Sequence, residues 1–240
     1  MKPPDDASGT WRLIHRLVSL VKPLFCRLTI EGAEHVPAVG GCVIACNHTL
    51  GPDYIVLGYA SPRQIYYMAK TEIFTWHPLL NRLFASVGTF PVERGKGDAL
   101  ALQTAVETVC AGKALGMFPE GTRSRTGQLL RGKSGAARIA LMAGAPVVPA
   151  VVINSAAILP TLFKLQRRPQ VTVRFGPPVV MTGDPNSHSD ARANTEHVMR
   201  AMAALLPPEL RGIYGEKEST GRVMEKVEGE KVGDQESGDA

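Results

Sequence analysis

Gly41-Cys42-Val43-Ile44-Ala45-Cys46-Asn47-His48-Thr49-Leu50-Gly51-Pro52-Asp53 runs directly into Tyr54-Ile55-Val56-Leu57-Gly58-Tyr59-Ala60. A short unbroken apolar run, a loop of small and polar residues, and a second apolar segment headed by proline read as a buried strand, a tight loop and a helix. Pro52 suits the first helical position, where its missing N–H costs nothing. The order sets His48 and Asp53 on either side of one turn. An imidazole can take a proton from an alcohol near neutral pH when a carboxylate fixes its tautomer and stabilises the imidazolium as it forms. Four intervening residues let Asp53 fold back onto His48 for that purpose.

An H-x-x-x-x-D match alone also fits an ordinary loop histidine followed by a first-turn acid on a helix N-terminus. Two further stretches add chemistry. Phe118-Pro119-Glu120-Gly121-Thr122-Arg123-Ser124 follows an apolar strand and forms a polar, cationic loop suited to an anionic group. Gly88-Thr89-Phe90-Pro91-Val92-Glu93-Arg94 is again a strand ending in arginine. Three strand ends therefore deliver a base and two guanidinium groups. With no G-x-S-x-G elbow, a hydrolase using a serine nucleophile is disfavoured.

These stretches, with Val147-Val148-Pro149-Ala150, resemble the motifs of the glycerolipid acyltransferases, the 1-acylglycerol-3-phosphate acyltransferase family, in the family's order and spacing over about Leu28 to Val180. The resemblance implies transfer of a fatty acyl group from acyl-CoA or acyl carrier protein to the free hydroxyl of lysophosphatidic acid, giving phosphatidic acid in phospholipid biosynthesis. Another lipid acceptor is the alternative within the class. By the same resemblance His48 and Asp53 are catalytic, and Arg94, Glu120, Gly121, Thr122, Arg123 and Ser124 bind substrate. Arg94 and Arg123 can grip a phosphate by their fork geometry. Glu120 either orients Arg123 or the substrate, or forms a structural ion pair. No metal is implied, and no cofactor besides the thioester co-substrate. Lys70 matches a lysine of the family's A-K-x-E segment, and a strand-end surface lysine is the alternative.

At 240 residues the chain suits one domain. Strands alternating with helices argue for an α/β domain with a mixed, largely parallel sheet flanked by helices, as in the glycerol-3-phosphate acyltransferases. The net charge is +5, but residues 215–240 carry eight acids against four bases, leaving +9 on the preceding 214. A basic body favours an anionic partner: phospholipid, nucleic acid or a phosphorylated substrate. Only 6% aromatics, with no interleaved Arg/Tyr/Phe platform, argue against nucleic acid. Cys26, Cys42, Cys46 and Cys110 show no zinc spacing, and Cys42 and Cys46 share a strand face as core thiols, which fits a reducing cytosol. No signal peptide is legible, and no stretch reaches the ~20 apolar residues that span a bilayer. The expected place is peripheral, at the cytoplasmic face of the cell membrane.

Residues 1–9 read as disordered, 10–23 as an amphipathic helix stopped by Pro23, 24–214 as the acyltransferase domain and 215–240 as a disordered acidic tail. In that helix Trp11, Leu13, Ile14, Leu17, Val18, Leu20 and Val21 make an apolar stripe with Arg12, Arg16 and Lys22 around it, suited either to a headgroup surface or to the protein's own core. Ile73 to Phe84 is a second apolar stretch with Trp and Arg, read as core packing or as the edge of an acyl-chain or membrane-facing surface.

Gly127-Gln128-Leu129-Leu130-Arg131-Gly132-Lys133-Ser134 satisfies the G-x-x-x-x-G-K-[ST] phosphate-loop lettering, and a helix follows it. Its first glycine does not come off a strand, and no downstream strand ends in a magnesium-binding Asp. A nucleotide-binding protein using this segment is the alternative of another class, and a catalytically silent membrane-binding module is a third.

Overall fold

The apolar run Cys42–Cys46 is buried at all five positions, as a strand must be when both faces of its sheet are covered. In the computed structural model, which describes residues 3–4, 6–74, 78–92, 99–160 and 168–215, it is β2 of a seven-stranded sheet. The elements run α1 (Gly9–Phe25), β1 (Arg27–Glu31), β2, α2 (Asp53–Ala60), β3 (Ile65–Lys70), α3 (Thr71–Phe74), α4 (Pro78–Ser86), β4 (Thr89–Val92) and α5 (Ala99–Cys110). They continue with β5 (Ala114–Met117), α6 (Gly135–Ala143), β6 (Val147–Ile153), β7 (Gln170–Phe175) and α7 (His188–Leu205). The strand order is β1-β7-β6-β2-β5-β3-β4.

β2 lies between β5 and β6 and runs parallel to both. Among the named strands one pair, β6 with β7, is antiparallel, from Ala150↔Phe175 to Ile153↔Thr172. The sheet is thus mixed and largely parallel, as the sequence leads one to expect. Alternation along β2 divides the core in two. Cys42, Ile44 and Cys46 pack with Leu57 of α2 on one face, and Val43 and Ala45 with Ala105, Ile139 and Met199 of α5, α6 and α7 on the other.

The N-terminus differs from expectation. Residues 6–8, assigned to disorder from sequence, are docked: Ala7 is buried, the Asp6 carboxylate accepts from Gln64 N–H, and Ser8 N–H donates to Gln64 Oε1 at 2.7 Å. Ser8 Oγ also caps α1 by accepting from Trp11 N–H. Pro23 does not stop α1, which continues to Phe25. Standing in the last turn, it removes one hydrogen bond, and the turn still closes through Cys26 N–H to Lys22 O at 3.1 Å. Pro52 is the N-cap of α2 rather than its first residue, which makes Asp53 the first helical position. The acidic tail, from residue 216 on, lies outside the described residues.

Arg63, 7% exposed, fastens the end of the sheet where β2 and β5 begin. Its guanidinium donates to the carbonyls of Pro37, Gly40 and Gly112 and to Asp6 Oδ2. Arg63→Ala leaves three carbonyls short of a charged donor, which should cost about 3 kcal/mol and lower Tm by roughly 10 °C. Because the loops of His48 and Glu120 leave the opposite strand ends, any turnover per folded molecule should stay near wild type. A melting scan with an activity assay below Tm checks both expectations.

Candidate active site

Three adjacent parallel strands, β5, β2 and β6, end on the same edge of the sheet, and the site is built from the loops that follow them. Asn47 continues β2 by side chain: its Oδ1 accepts from Val152 N–H at 2.7 Å and its Nδ2 donates to Val152 O at 3.1 Å. This locks the start of the loop to β6.

His48 follows. Its Nδ1 lies 2.9 Å from Asp53 Oδ2, and since an ionised carboxylate only accepts, Nδ1 carries the proton and Nε2 the lone pair. Asp53 is fully buried, and its carboxylate also accepts from Thr49 N–H, Thr49 Oγ1 and Ser155 Oγ. Every lone pair that steadies this carboxylate is answered by a donor, so the imidazole it holds has one orientation. Gly51 lets the loop touch the turn after β6, since a Cβ there would run into Ser155. The imidazole stacks on Phe118 with centroids 4.2 Å apart, and the side chain is 14% exposed. A base is thus held rigidly with an edge open to substrate.

Glu120 has a different task from the one expected. It is 2% exposed, and its two oxygens accept from His48 N–H at 2.7 Å and Leu130 N–H at 2.9 Å, so it braces the base's backbone and pairs with no arginine among the described residues. Burial raises its pKa, partly offset by those two N–H groups. Ser124 is likewise buried and bonds by its N–H to His48 O at 2.7 Å, a structural contact. Gly121 makes the turn at φ 67°, and Thr122 and Arg123 stand exposed on the loop, where a substrate can reach them. Arg94 lies outside the described residues, as does the side chain of Lys70 at the end of β3.

Sequence reasoning missed Ser155 and the bracing by Thr49. Ser155 lies 102 positions from Asp53, on a turn that Asn154 enters at φ 66°, and no spacing rule connects it to His48. The N–H groups of His48, Thr49 and Gly51 are all used within the protein. Charge developing on a substrate oxygen must therefore meet other donors. Cys46, next to the site, is no nucleophile: burial, then the Asp53 and Glu120 carboxylates, push its thiol well up.

The phosphate-loop lettering finds no phosphate cradle. The N–H groups of Leu129, Leu130, Gly132 and Lys133 are bonded to Leu210 O, Glu120 Oε2, Tyr214 Oη and Pro119 O, so they cannot turn toward a ligand.

The model of the acyltransferase family matches residues 27–153, from β1 to the end of β6. The chain belongs to that family. The chain is 39% identical over 122 residues to the 1-acyl-sn-glycerol-3-phosphate acyltransferase of Bacillus subtilis (strain 168), covering 50% of this chain and 60% of the relative. It is 31% identical over 157 residues to the enzyme of that name from Limnanthes douglasii, covering 63% of this chain and 54% of the relative. The chain thus spans between half and two thirds of the length of these curated relatives. The crystal structure of the lysophosphatidic acid acyltransferase PlsC from Thermotoga maritima superposes with a TM-score of 0.60 at 24% identity, over 81% of this chain and 78% of that one, a likeness of fold. Ser155 falls just past the family match.

Beside the site the chain has an apolar cavity of about 170 Å³ between α1, α2 and α4, lined by Trp11, Ile14, Val18, Ile55, Tyr67 and Phe84 among others. The Tyr67 ring stacks on Phe118 at 6.4 Å, and Phe118 on His48, so two ring contacts join the cavity wall to the base. His15 also lines the cavity. It stacks on Tyr59, and burial lowers its pKa.

Proposed function

We propose that the protein transfers a fatty acyl group from a thioester, acyl-CoA or acyl carrier protein, to the free hydroxyl of 1-acyl-sn-glycerol-3-phosphate. One observation carries the reading: an imidazole fixed on a buried carboxylate, beside a loop presenting Arg123, in a chain of the acyltransferase family. His48 Nε2 takes the hydroxyl proton as the acceptor oxygen bonds to the thioester carbonyl carbon. The carbon–sulfur bond then breaks and the leaving thiolate takes the proton back from the imidazolium. No acyl-enzyme is needed, because Cys46 and Ser124 are buried and Ser155 is engaged with Asp53. The apolar cavity suits the acyl chain, and Arg123 the acceptor's phosphate. The relatives named for this acceptor support its choice. Incubating the purified chain with acyl-CoA and labelled lysophosphatidic acid should give phosphatidic acid. Labelled product appearing only with a different lipid acceptor would move the assignment to that lipid.

The reading includes attachment to the cytoplasmic face of the membrane through α1. No helix among the described residues is long and apolar enough to cross a bilayer. α1 instead has two apolar sides: Trp11, Ile14 and Val18 line the cavity, while Leu13, Leu17, Leu20 and Leu24 are 52–75% exposed. One helix can thus both pack on the core and offer an apolar face to a surface, the two alternatives read from sequence. Because the inner side is packed, truncating α1 would open the core, and surface variants test attachment more cleanly. Replacing the four exposed leucines with Gln should lower co-sedimentation with acidic vesicles about tenfold or more. Activity on detergent-dispersed substrate should persist. Unchanged vesicle binding would place the anchor elsewhere.

A further inference from the structure

The lysine of the phosphate-loop lettering has a place in the site. Lys133 N–H donates to Pro119 O at 2.7 Å, and its side chain lies back across the loop of Glu120 to Arg123. A Cβ on Gly121 would stand 3.0 Å from its Nζ and 3.1 Å from its Cδ and Cε. The ammonium therefore sits directly over Gly121, on the loop whose carboxylate braces His48. Lys133 is exposed, and none of the ion pairs among the described residues includes it. Arg123, on the same loop, is exposed and outside those pairs as well. Four exposed cations between β5 and α6, Arg123, Arg125, Arg131 and Lys133, with no carboxylate paired to any of them among the described residues, suit an anionic group rather than a structural ion pair.

We propose that Lys133 binds the phosphate of the acceptor lipid, supplying from across Gly121 a point charge that complements the fork of Arg123. The inference rests on the acyltransferase reading above and adds a residue to its acceptor site. Glycine at 121 itself is called for by its φ of 67°.

The test is steady-state thiol release from acyl-CoA by the purified full chain, with lysophosphatidic acid in detergent micelles, for wild type, Lys133→Met and Lys133→Arg. Methionine keeps most of the stem that packs over Gly121 and removes the charge; arginine keeps the charge. Lys133→Met should raise KM for lysophosphatidic acid about tenfold, the value of one charge-assisted hydrogen bond. Because the phosphate is bound throughout the reaction, kcat and the KM for acyl-CoA should stay within about twofold. Lys133→Arg should keep KM for the acceptor within about threefold of wild type. An unchanged acceptor KM in Lys133→Met would reduce the lysine to packing, and a rise in the acyl-CoA KM alone would assign it to the donor's phosphates. A wild type that releases no thiol in response to lysophosphatidic acid overturns the functional reading itself, and this inference with it.

Discussion

Replacing His48 with alanine is expected to lower acyl transfer by about 10⁴-fold, the upper range for a positioned general base, with the fold intact. The fold survives because the structural work at this position belongs to the backbone. His48 N–H is held by Glu120 and its carbonyl by Ser124 N–H, and both bonds persist in the variant. What is lost with the side chain is a stack on Phe118, worth about 1 kcal/mol, and one hydrogen bond to the buried Asp53 carboxylate, worth about 2 kcal/mol, together roughly 10 °C in Tm. Thiol release measured beside a melting curve separates the two effects. Turnover within tenfold of wild type in a folded His48→Ala protein would remove the imidazole from the chemistry.

Asp53→Asn should cost about 10³-fold, again with little loss of fold. Read from sequence, such a change threatens the tautomer. Thr49 N–H shares Oδ2 with His48, so the amide oxygen of an Asn must occupy that position, leaving the amide nitrogen toward Thr49 Oγ1 and Ser155 Oγ. Hydroxyls can turn to accept, which a backbone N–H cannot. His48 thus keeps its Nδ1 proton, and what disappears is the negative charge facing the imidazolium as it forms. The loss should fall in kcat and leave both KM values nearly unchanged. Ser155→Ala removes one of the carboxylate's donors and should lower kcat about fivefold, as expected of a residue that positions rather than reacts. An Asp53→Asn enzyme as active as wild type would leave that carboxylate no part in the chemistry.

The strand, loop and helix around His48 were legible because each carries a local signal: five apolar residues too short for a helix, a polar turn, and an acid in the first helical turn. The pairing of His48 with Asp53 followed from that local order. The antiparallel return of β7 onto β6 was not legible, since alternation in Gln170–Phe175 gives a strand but not its direction. The role of Glu120 was misread for a related reason. Among arginines it suggests either an orienting role toward Arg123 or the substrate or an ion pair, yet burial turns it toward the backbone N–H groups of His48 and Leu130. Pro23 shows the same limit at a helix end, where its position in the last turn decides whether it breaks the helix.

Direct transfer at the His48–Asp53 pair is tested most closely by the first turnover. Enzyme at micromolar concentration is mixed with acyl-CoA, and thiol release is followed with and without lysophosphatidic acid. The predicted trace without acceptor is flat, with no acyl adduct on the intact protein by mass spectrometry, and release begins only when acceptor is added. A burst of one thiol per enzyme before the acceptor arrives, with acyl mass retained on the protein, would establish a covalent intermediate and contradict the account.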